Sequence, residues 1–148
     1  MHLGNLRARP NDIGDDVRSR LQTGAMIPAT HYIKAQRSRA IFNRELSKTM
    51  RKYHILLSPT VPVGAPKIEE TIVKIGDKQE AAISLLSRLT RPFNISGMPA
   101  ISIPCGFTSL GMPIGLQIAG RPYNETTVLR VAHAYEQATY WHKQRPGI

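Results

Sequence analysis

The chain has 148 residues, of which 41% are hydrophobic and 20% charged, and it carries a formal net charge of +10 and a single cysteine. This length fits one domain, or part of one, that buries a core without a metal or a disulfide, and one cysteine excludes an intrachain disulfide. Since no signal peptide or long apolar run is present, we expect a cytoplasmic protein without membrane contact.

The positive charge is concentrated in the first third of the chain. Residues 1–52 hold eleven Lys or Arg against four Asp or Glu, which gives +7 and leaves +3 for the remainder. Such a segment can bind nucleic acid or another anionic partner. Because these charges fall mostly on the polar face of a predicted helix, without an aromatic-interleaved basic motif, we expect a solvated or interfacial face rather than specific nucleic-acid binding.

Two helices are predicted in this basic segment. A short one begins near Asp15, whose carboxylate suits an N-cap, and a long one runs from Pro28 to about Tyr53. Apolar residues of the long helix recur at three- and four-residue intervals and predict one buried stripe. The stripe consists of Tyr32, Ala35, Phe42, Leu46, Met50 and Tyr53. Arg39 falls inside it, and we expect its stem to pack; the alternative is that Arg39 braces a polar pocket.

The apolar run His54–Leu57 predicts a central strand, which the prolines of residues 58–62 end. Loops at strand ends bind ligands in α/β folds, so Ser58 and Thr60 are candidate pocket hydroxyls. Both residue types are also common in ordinary turns. The alternatives therefore stay open on this pattern alone.

The next elements are a hairpin and a helix. Residues 67–78 are charged and predict a surface hairpin with Gly76-Asp77 as its turn. Residues 79–89 are predicted to be helical, with Ala82, Leu85, Leu86 and Leu89 on the buried face. We expect this helix to end near Arg91, because Pro92 follows.

Two short strands are predicted at residues 100–105 and 114–119, each with one bulky face and one small or polar face. A strand face of small residues lets a helix approach closely. Gln117 lies on that face and needs hydrogen-bond partners once it is buried, so we interpret it as a bracing residue. The linker of residues 106–113 fits either a loose hairpin or a connection between non-adjacent strands.

The last helix is predicted to start after Asn124, a good N-cap, and to run to about Trp141, with Pro146-Gly147 closing the chain. Cys105 could act as a thiol nucleophile with His133 or His142 as base. A lone cysteine that ends a buried strand is more often a core residue, so we assign no catalytic residue.

The sequence also predicts no metal and no cofactor. None of the five histidines pairs with another at the i, i+4 spacing of a helical metal site. No glycine-rich loop precedes a helix in the pattern that binds phosphate.

Four short motifs follow one another between residues 90 and 117. They are Thr90-Arg91-Pro92-Phe93-Asn94, Gly97-Met98-Pro99-Ala100, Pro104-Cys105-Gly106-Phe107 and Gly111-Met112-Pro113-Ile114-Gly115-Leu116-Gln117. Further matches, in order, are Arg20 with Gly24, Tyr32 with Ala35 and Arg39, Ser58-Pro59-Thr60, and Glu125 to Glu136 with Trp141. Over nearly the whole chain, this combination resembles the C-terminal end of amidase signature enzymes.

The resemblance implies an α/β fold, namely the C-terminal part of an α/β/α sandwich with a mixed central β-sheet covered by helices. These enzymes hydrolyse carboxylic amides with a Ser nucleophile, a second Ser preceded by a cis peptide, and a Lys as general base. The A subunit of a tRNA-dependent amidotransferase uses the same chemistry to release ammonia from glutamine. The segment that carries these residues is absent here, so we expect residues 1–148 to be the C-terminal portion of an amidase domain, inactive alone.

The resemblance also implies which residues line or brace the substrate pocket. They are Arg20, Ser58, Thr60, Thr90 and Asn94, and the ligand would be a small-molecule amide bound together with the missing catalytic part. Ser87 stands where the tRNA-dependent amidotransferase has an acidic residue, which favours a general amidase over a glutamine-releasing enzyme. His54 stands where family members usually have Asp. The alternative functions are a non-catalytic oligomeric interaction module and the glutaminase portion of a protein like the amidotransferase A subunit. We expect a homo-oligomer.

Overall fold

The computed structural model describes residues 2–145. These form two compact units, one up to Ile41 and one from Phe42 onward. The predicted close of the chain at Pro146-Gly147 lies outside the described residues.

The first unit consists of helices. They are α1 (Leu3–Ala8), a 3-10 helix (Pro10–Asp12), α2 (Asp15–Ala25) and the first part of α3 (Ala29–Met50). The predicted helix start near Asp15 is confirmed, but its role as N-cap is wrong. Gly14 is the N-cap, and Asp15 is the first helical residue, whose carboxylate pairs with Arg18. Acidic side chains in the first turn stabilise a helix, because its N-terminus carries partial positive charge.

Helix α3 confirms the long predicted helix to within three residues at each end. Its predicted buried stripe is wrong for most of its length. Tyr32 is 63% exposed and Phe42 38%, and Tyr53, beyond the end of the helix, is 58% exposed. Periodicity marks the apolar side of a helix, but burial needs an element that covers it. Such cover is present at the end of α3, where Met50 is 2% exposed and packs in a hydrophobic cluster.

The second unit is built on strands β1 (Ile55–Pro59), β2 (Ile72–Ile75), β3 (Lys78–Ala81), β4 (Ala100–Phe107) and β5 (Pro113–Gly120). Strands β1, β5 and β4 form one sheet in that order, and both pairings are antiparallel. Strands β4 and β5 are joined as a hairpin, which decides between the two predicted connections. The central position predicted for the first strand is wrong, because β5 lies between β1 and β4 in the described residues.

Strands β2 and β3 form a separate antiparallel hairpin, and the predicted turn at Gly76-Asp77 is confirmed. The helix predicted over residues 79–89 is largely wrong. Its first residues continue the hairpin, with Ala81 opposite Ile72, and only α4 (Ala82–Leu86) is α-helical.

Pro92 starts a helix, whereas it was predicted to end one. Helix α5 (Arg91–Ser96) begins where the preceding helix was expected to end, with Pro92 in its first turn. Proline is well suited there, since the first helical N–H groups have no intrahelical acceptor. Gly97 ends α5 in a left-handed conformation with φ of 71°, which glycine adopts readily.

Helix α6 (Glu125–Ala138) has Asn124 at its N-cap position, as predicted. The helix ends three residues before Trp141, which begins a separate 3-10 helix (Trp141–Lys143). The buried residues of α6, Val128 and Ala132, face the sheet.

Helices pack against both faces of the three-stranded sheet. The bulky face contributes Ile103 and Ile118, which pack against α6. On the small face, Ala119 is fully buried against Met50 of α3, Phe93 of α5 and Met98. The predicted α/β class and the close helix approach at the small face are thereby confirmed. All strand pairs among residues 2–145 are antiparallel.

No helix among the described residues combines the length and the apolar character needed to cross a membrane.

Candidate functional site

Four polar side chains lie together on the small face of the three-stranded sheet. Ser58 of β1 and Ser102 of β4 are both paired with Gln117 of β5, and Thr60 follows directly after β1. We call Ser58, Thr60, Ser102 and Gln117 the polar row. Strand register produces it, because residues paired across antiparallel strands project from the same face.

Gln117 anchors the polar row. It is 4% exposed, and among the described residues it is the one polar residue that is buried. Its Nε2 donates to Ser58 Oγ at 3.0 Å and to the backbone oxygen of Leu89 at 3.0 Å. The expectation that Gln117 would need partners on this face is met by these two bonds, which connect β1, β5 and the segment before α5.

The other end of the row is a close pair of hydroxyls. Thr60 Oγ1 and Ser102 Oγ are 2.5 Å apart, and the Thr60 N–H donates to the Gly115 oxygen at 2.8 Å. A Cβ on Gly115 would lie 2.7 Å from both hydroxyl oxygens. Only glycine therefore lets the two hydroxyls meet over β5.

Thr90 and Asn94 belong to the chain segment that follows Leu89, and their roles as pocket residues stay predictions. Thr90 follows Leu89 and is the N-cap residue of α5; its Oγ1 donates to the Ser87 oxygen at 3.2 Å. Asn94 is an exposed residue of α5, and its N–H bonds the Thr90 oxygen at 3.3 Å.

Arg20 and Arg39 belong to the first unit. Arg20 is exposed on α2 and lines a groove of about 330 Å³ together with residues of α1. Arg39 is exposed on α3. Their roles as pocket-lining and bracing residues stay predictions.

An apolar cleft of about 240 Å³ adjoins the hydroxyl pair. It is lined by Pro59, Val61, Pro62, Val63, Gly64, Thr108, Pro113, Ile114 and Gly115. This cleft was not predicted from the sequence. A usable signal was the alternation of valine and proline after Thr60, since such a segment stays extended and offers apolar side chains without strand pairing.

Cys105 occupies a β-bulge. Pro104 pairs with Gly115 and Gly106 with Ile114, so Cys105 is the extra residue between them. Its Sγ donates to the Ile114 oxygen at 3.5 Å, and burial raises the pKa of the thiol above its ordinary value. Both effects favour the neutral thiol over the nucleophilic thiolate, which supports a structural role.

The chemistry that this arrangement can perform is binding. Hydroxyls and a carboxamide can donate and accept hydrogen bonds, and the adjacent cleft can hold an apolar group. These groups stay neutral at ordinary pH, so they offer neither a general base nor an activated nucleophile.

Comparison with known proteins finds one family model and a set of similar amidotransferase subunits. The amidase family matches residues 3–129. The A subunit of the glutamyl-tRNA(Gln) amidotransferase from Geobacillus sp. (strain WCH70) is 37% identical over 96% of this chain and 29% of its own length. Its counterpart from Synechococcus sp. (strain JA-2-3B'a(2-13)) is 38% identical over 96% of this chain and 28% of its own.

Solved structures agree with this comparison. A crystal structure of an amidase superposes with a TM-score of 0.88 at 28% identity, covering 93% of this chain and 31% of that one. A 6-aminohexanoate cyclic dimer hydrolase complexed with substrate gives 0.77 at 26% identity, covering 97% of this chain and 32% of that one. The chain thus spans less than one third of the length of these relatives.

Proposed function

This chain belongs to the amidase family, whose match covers residues 3–129, and from that premise we propose that it forms the C-terminal part of an amidase domain. The domain as a whole would hydrolyse carboxylic amide C–N bonds. One observation carries the proposal. The alignment with the Geobacillus sp. relative covers 96% of this chain but only 29% of the length of that relative. This difference in coverage supports the proposal that the chain forms one section of such a domain.

Within that domain, the chain would supply sheet core and one wall of the substrate pocket. The Ser nucleophile, the second Ser and the Lys base would lie outside these 148 residues. A nucleophile without its base loses most of its reactivity, and the neutral polar row cannot replace that pair. We therefore propose that the chain binds and orients an amide but does not cleave it alone.

The proposed substrate is a small-molecule amide rather than glutamine in particular. Ser87 stands where an acidic residue would bind the amino group of glutamine. Its Oγ donates to the Ile83 oxygen at 2.8 Å and accepts from Arg91 Nη2 at 2.7 Å. A neutral hydroxyl already engaged in this way offers little attraction to an ammonium group. The identity of 37% to an amidotransferase of this kind keeps glutamine as the alternative substrate.

Complementation tests this proposal. The section of the Geobacillus relative that lies outside the matched region would be co-expressed with this chain, and ammonia release from propionamide, benzamide and glutamine would be measured. We expect a stable complex that releases ammonia, whereas the Geobacillus section without this chain stays inactive. A complex that forms and stays silent, or two parts that do not associate, would contradict the proposal.

A second candidate function, an oligomeric interaction module, is favoured by the exposure of α3. Tyr32 is 63% exposed and Ile33 50%, so the helix presents apolar side chains to solvent. A second copy of the chain could cover them. Light scattering separates the candidates, since a monodisperse monomer counts against the module. The cytoplasmic compartment and the absence of specific nucleic-acid binding remain parts of the primary proposal.

A further inference from the structure

The orientation of the Gln117 carboxamide follows from its backbone partner. One amide atom of Gln117 lies 3.0 Å from the Leu89 oxygen, and a backbone carbonyl oxygen can only accept. That atom must therefore be the nitrogen, Nε2. A flipped amide would place two acceptors against each other inside the protein, where an unsatisfied pair is costly.

This orientation determines how Ser58 uses its hydroxyl. The same Nε2 lies 3.0 Å from Ser58 Oγ, so Ser58 accepts from Gln117 in this bond. A serine hydroxyl has one proton and two lone pairs. Because a lone pair is engaged by Gln117, the Ser58 proton must point to another acceptor. Ser58 is half-buried rather than enclosed, so a ligand can supply that acceptor.

The charge of the row selects the kind of acceptor. Ser58, Thr60, Ser102 and Gln117 are all uncharged, and moving a carboxylate out of water without a cationic partner is far more costly than moving a carbonyl group. We propose that Ser58 donates a hydrogen bond to the carbonyl oxygen of a neutral carboxamide ligand, and that Gln117 is the positioning residue that turns the Ser58 hydroxyl toward it. This proposal rests on the proposed function and specifies the ligand chemistry of the same site.

The test uses the full chain and propionamide as probe, followed by NMR with isotope labelling. We expect propionamide to shift the signals of Ser58, whereas propionate at the same concentration does not. Ser58→Ala should weaken propionamide binding about fivefold or more, the usual effect of one lost hydrogen bond, and Ser58→Thr should retain it. Ser109→Ala, in the exposed loop between β4 and β5, is the matched control and should bind normally.

A separate NMR measurement, on the side-chain NH₂ group of Gln117, tests the positioning role of this residue. In the unmodified chain, its side-chain NH₂ protons should exchange slowly, and Ser58→Ala should move one of their signals because that proton loses its acceptor. Gln117→Leu should weaken propionamide binding as much as Ser58→Ala does. Where Gln117→Leu does not fold, the NH₂ signals and the Ser58 variants decide.

Two results would overturn the inference: equal propionamide binding by Ser58→Ala and the unmodified chain, or shifts confined to residues outside the polar row. Binding needs no catalysis, so failed complementation would reject the proposed function and leave this result intact. Conversely, an active complex whose chain fails the NMR test would reject only the inference.

Discussion

Gly115 shows how one residue controls the geometry of the candidate site. It lies on β5 beneath the closest contact of the polar row, between Thr60 and Ser102. A methyl group there would lie 2.7 Å from two oxygens and 3.2 Å from Thr60 Cβ. Its conservative replacement by alanine is therefore a sensitive probe of the site.

We predict that Gly115→Ala lowers the free energy of unfolding by about 1–3 kcal/mol, the usual cost of overpacking. The hydroxyls must move apart, because the backbone of β5 is held by strands on both sides. Urea unfolding followed by the fluorescence of Trp141, the only tryptophan in the chain, measures the loss.

Gly64→Ala is the control for this substitution. A Cβ on Gly64 would meet a single methyl group, Thr108 Cγ2, at 3.3 Å. A side-chain end can move by a few tenths of an ångström, so we expect a change within about 0.5 kcal/mol, as at ordinary surface positions. Equal stability of Gly115→Ala and the unmodified chain would show that the two hydroxyls do not meet over Gly115.

Single residues were predictable from the sequence only where their chemistry is local. The need of Gln117 for partners follows from a buried amide. That its partners are Ser58 and the Leu89 oxygen, 59 and 28 residues away in the chain, depends on strand register, which composition does not specify. Ser102 was not predicted as a site residue for the same reason.

At the scale of elements, Arg121 links the end of β5 to the end of α3. Its Nε donates to the Met50 oxygen at 2.9 Å and the Tyr53 oxygen at 3.2 Å, and its Nη2 donates to the Arg51 oxygen at 3.3 Å. The last carbonyls of a helix have no intrahelical partner and carry partial negative charge. A guanidinium satisfies several of them at once.

We predict that Arg121→Ala lowers the free energy of unfolding by about 1–3 kcal/mol, since carbonyls near the end of α3 lose a charged donor. The free energy of unfolding of Arg121→Lys should lie between those of Arg121→Ala and the unmodified chain, because an ammonium group keeps the charge but not the planar shape of the guanidinium group. The measurement is again urea unfolding followed by Trp141 fluorescence.

Arg130→Ala removes an exposed arginine of α6 and is the matched control. It should change stability by no more than about 0.5 kcal/mol. If Arg121→Ala and Arg130→Ala are equally harmless, the contacts of Arg121 do not hold α3.

Elements were predictable from the sequence where one signal dominated. The β4–β5 pair, the β2–β3 turn, α3 and α6 follow from alternation, turn residues or helical periodicity. The helix predicted over residues 79–89 was confirmed only for Ala82–Leu86, because two signals competed around it. Pairing with β2 turned residues 79–81 into a strand, and Pro92 started a helix rather than ending one.

At the scale of the whole molecule, the sequence identified the family and the α/β class. The match over residues 3–129 confirms the family, and the helices and strands of the structure confirm the class. The apolar stripe of α3 was predictable, but its exposure was not. Periodicity reports which side of a helix is apolar and does not report what covers it. In the proposed domain, the remainder of the amidase would provide that cover.

The central claim is that these 148 residues bind an amide without cleaving it. The most direct measurement is ammonia release by the purified chain from propionamide, benzamide and glutamine. We expect no release above the uncatalysed background. Release that Ser58→Ala or Cys105→Ser abolishes would place a reacting group within this chain and contradict the claim.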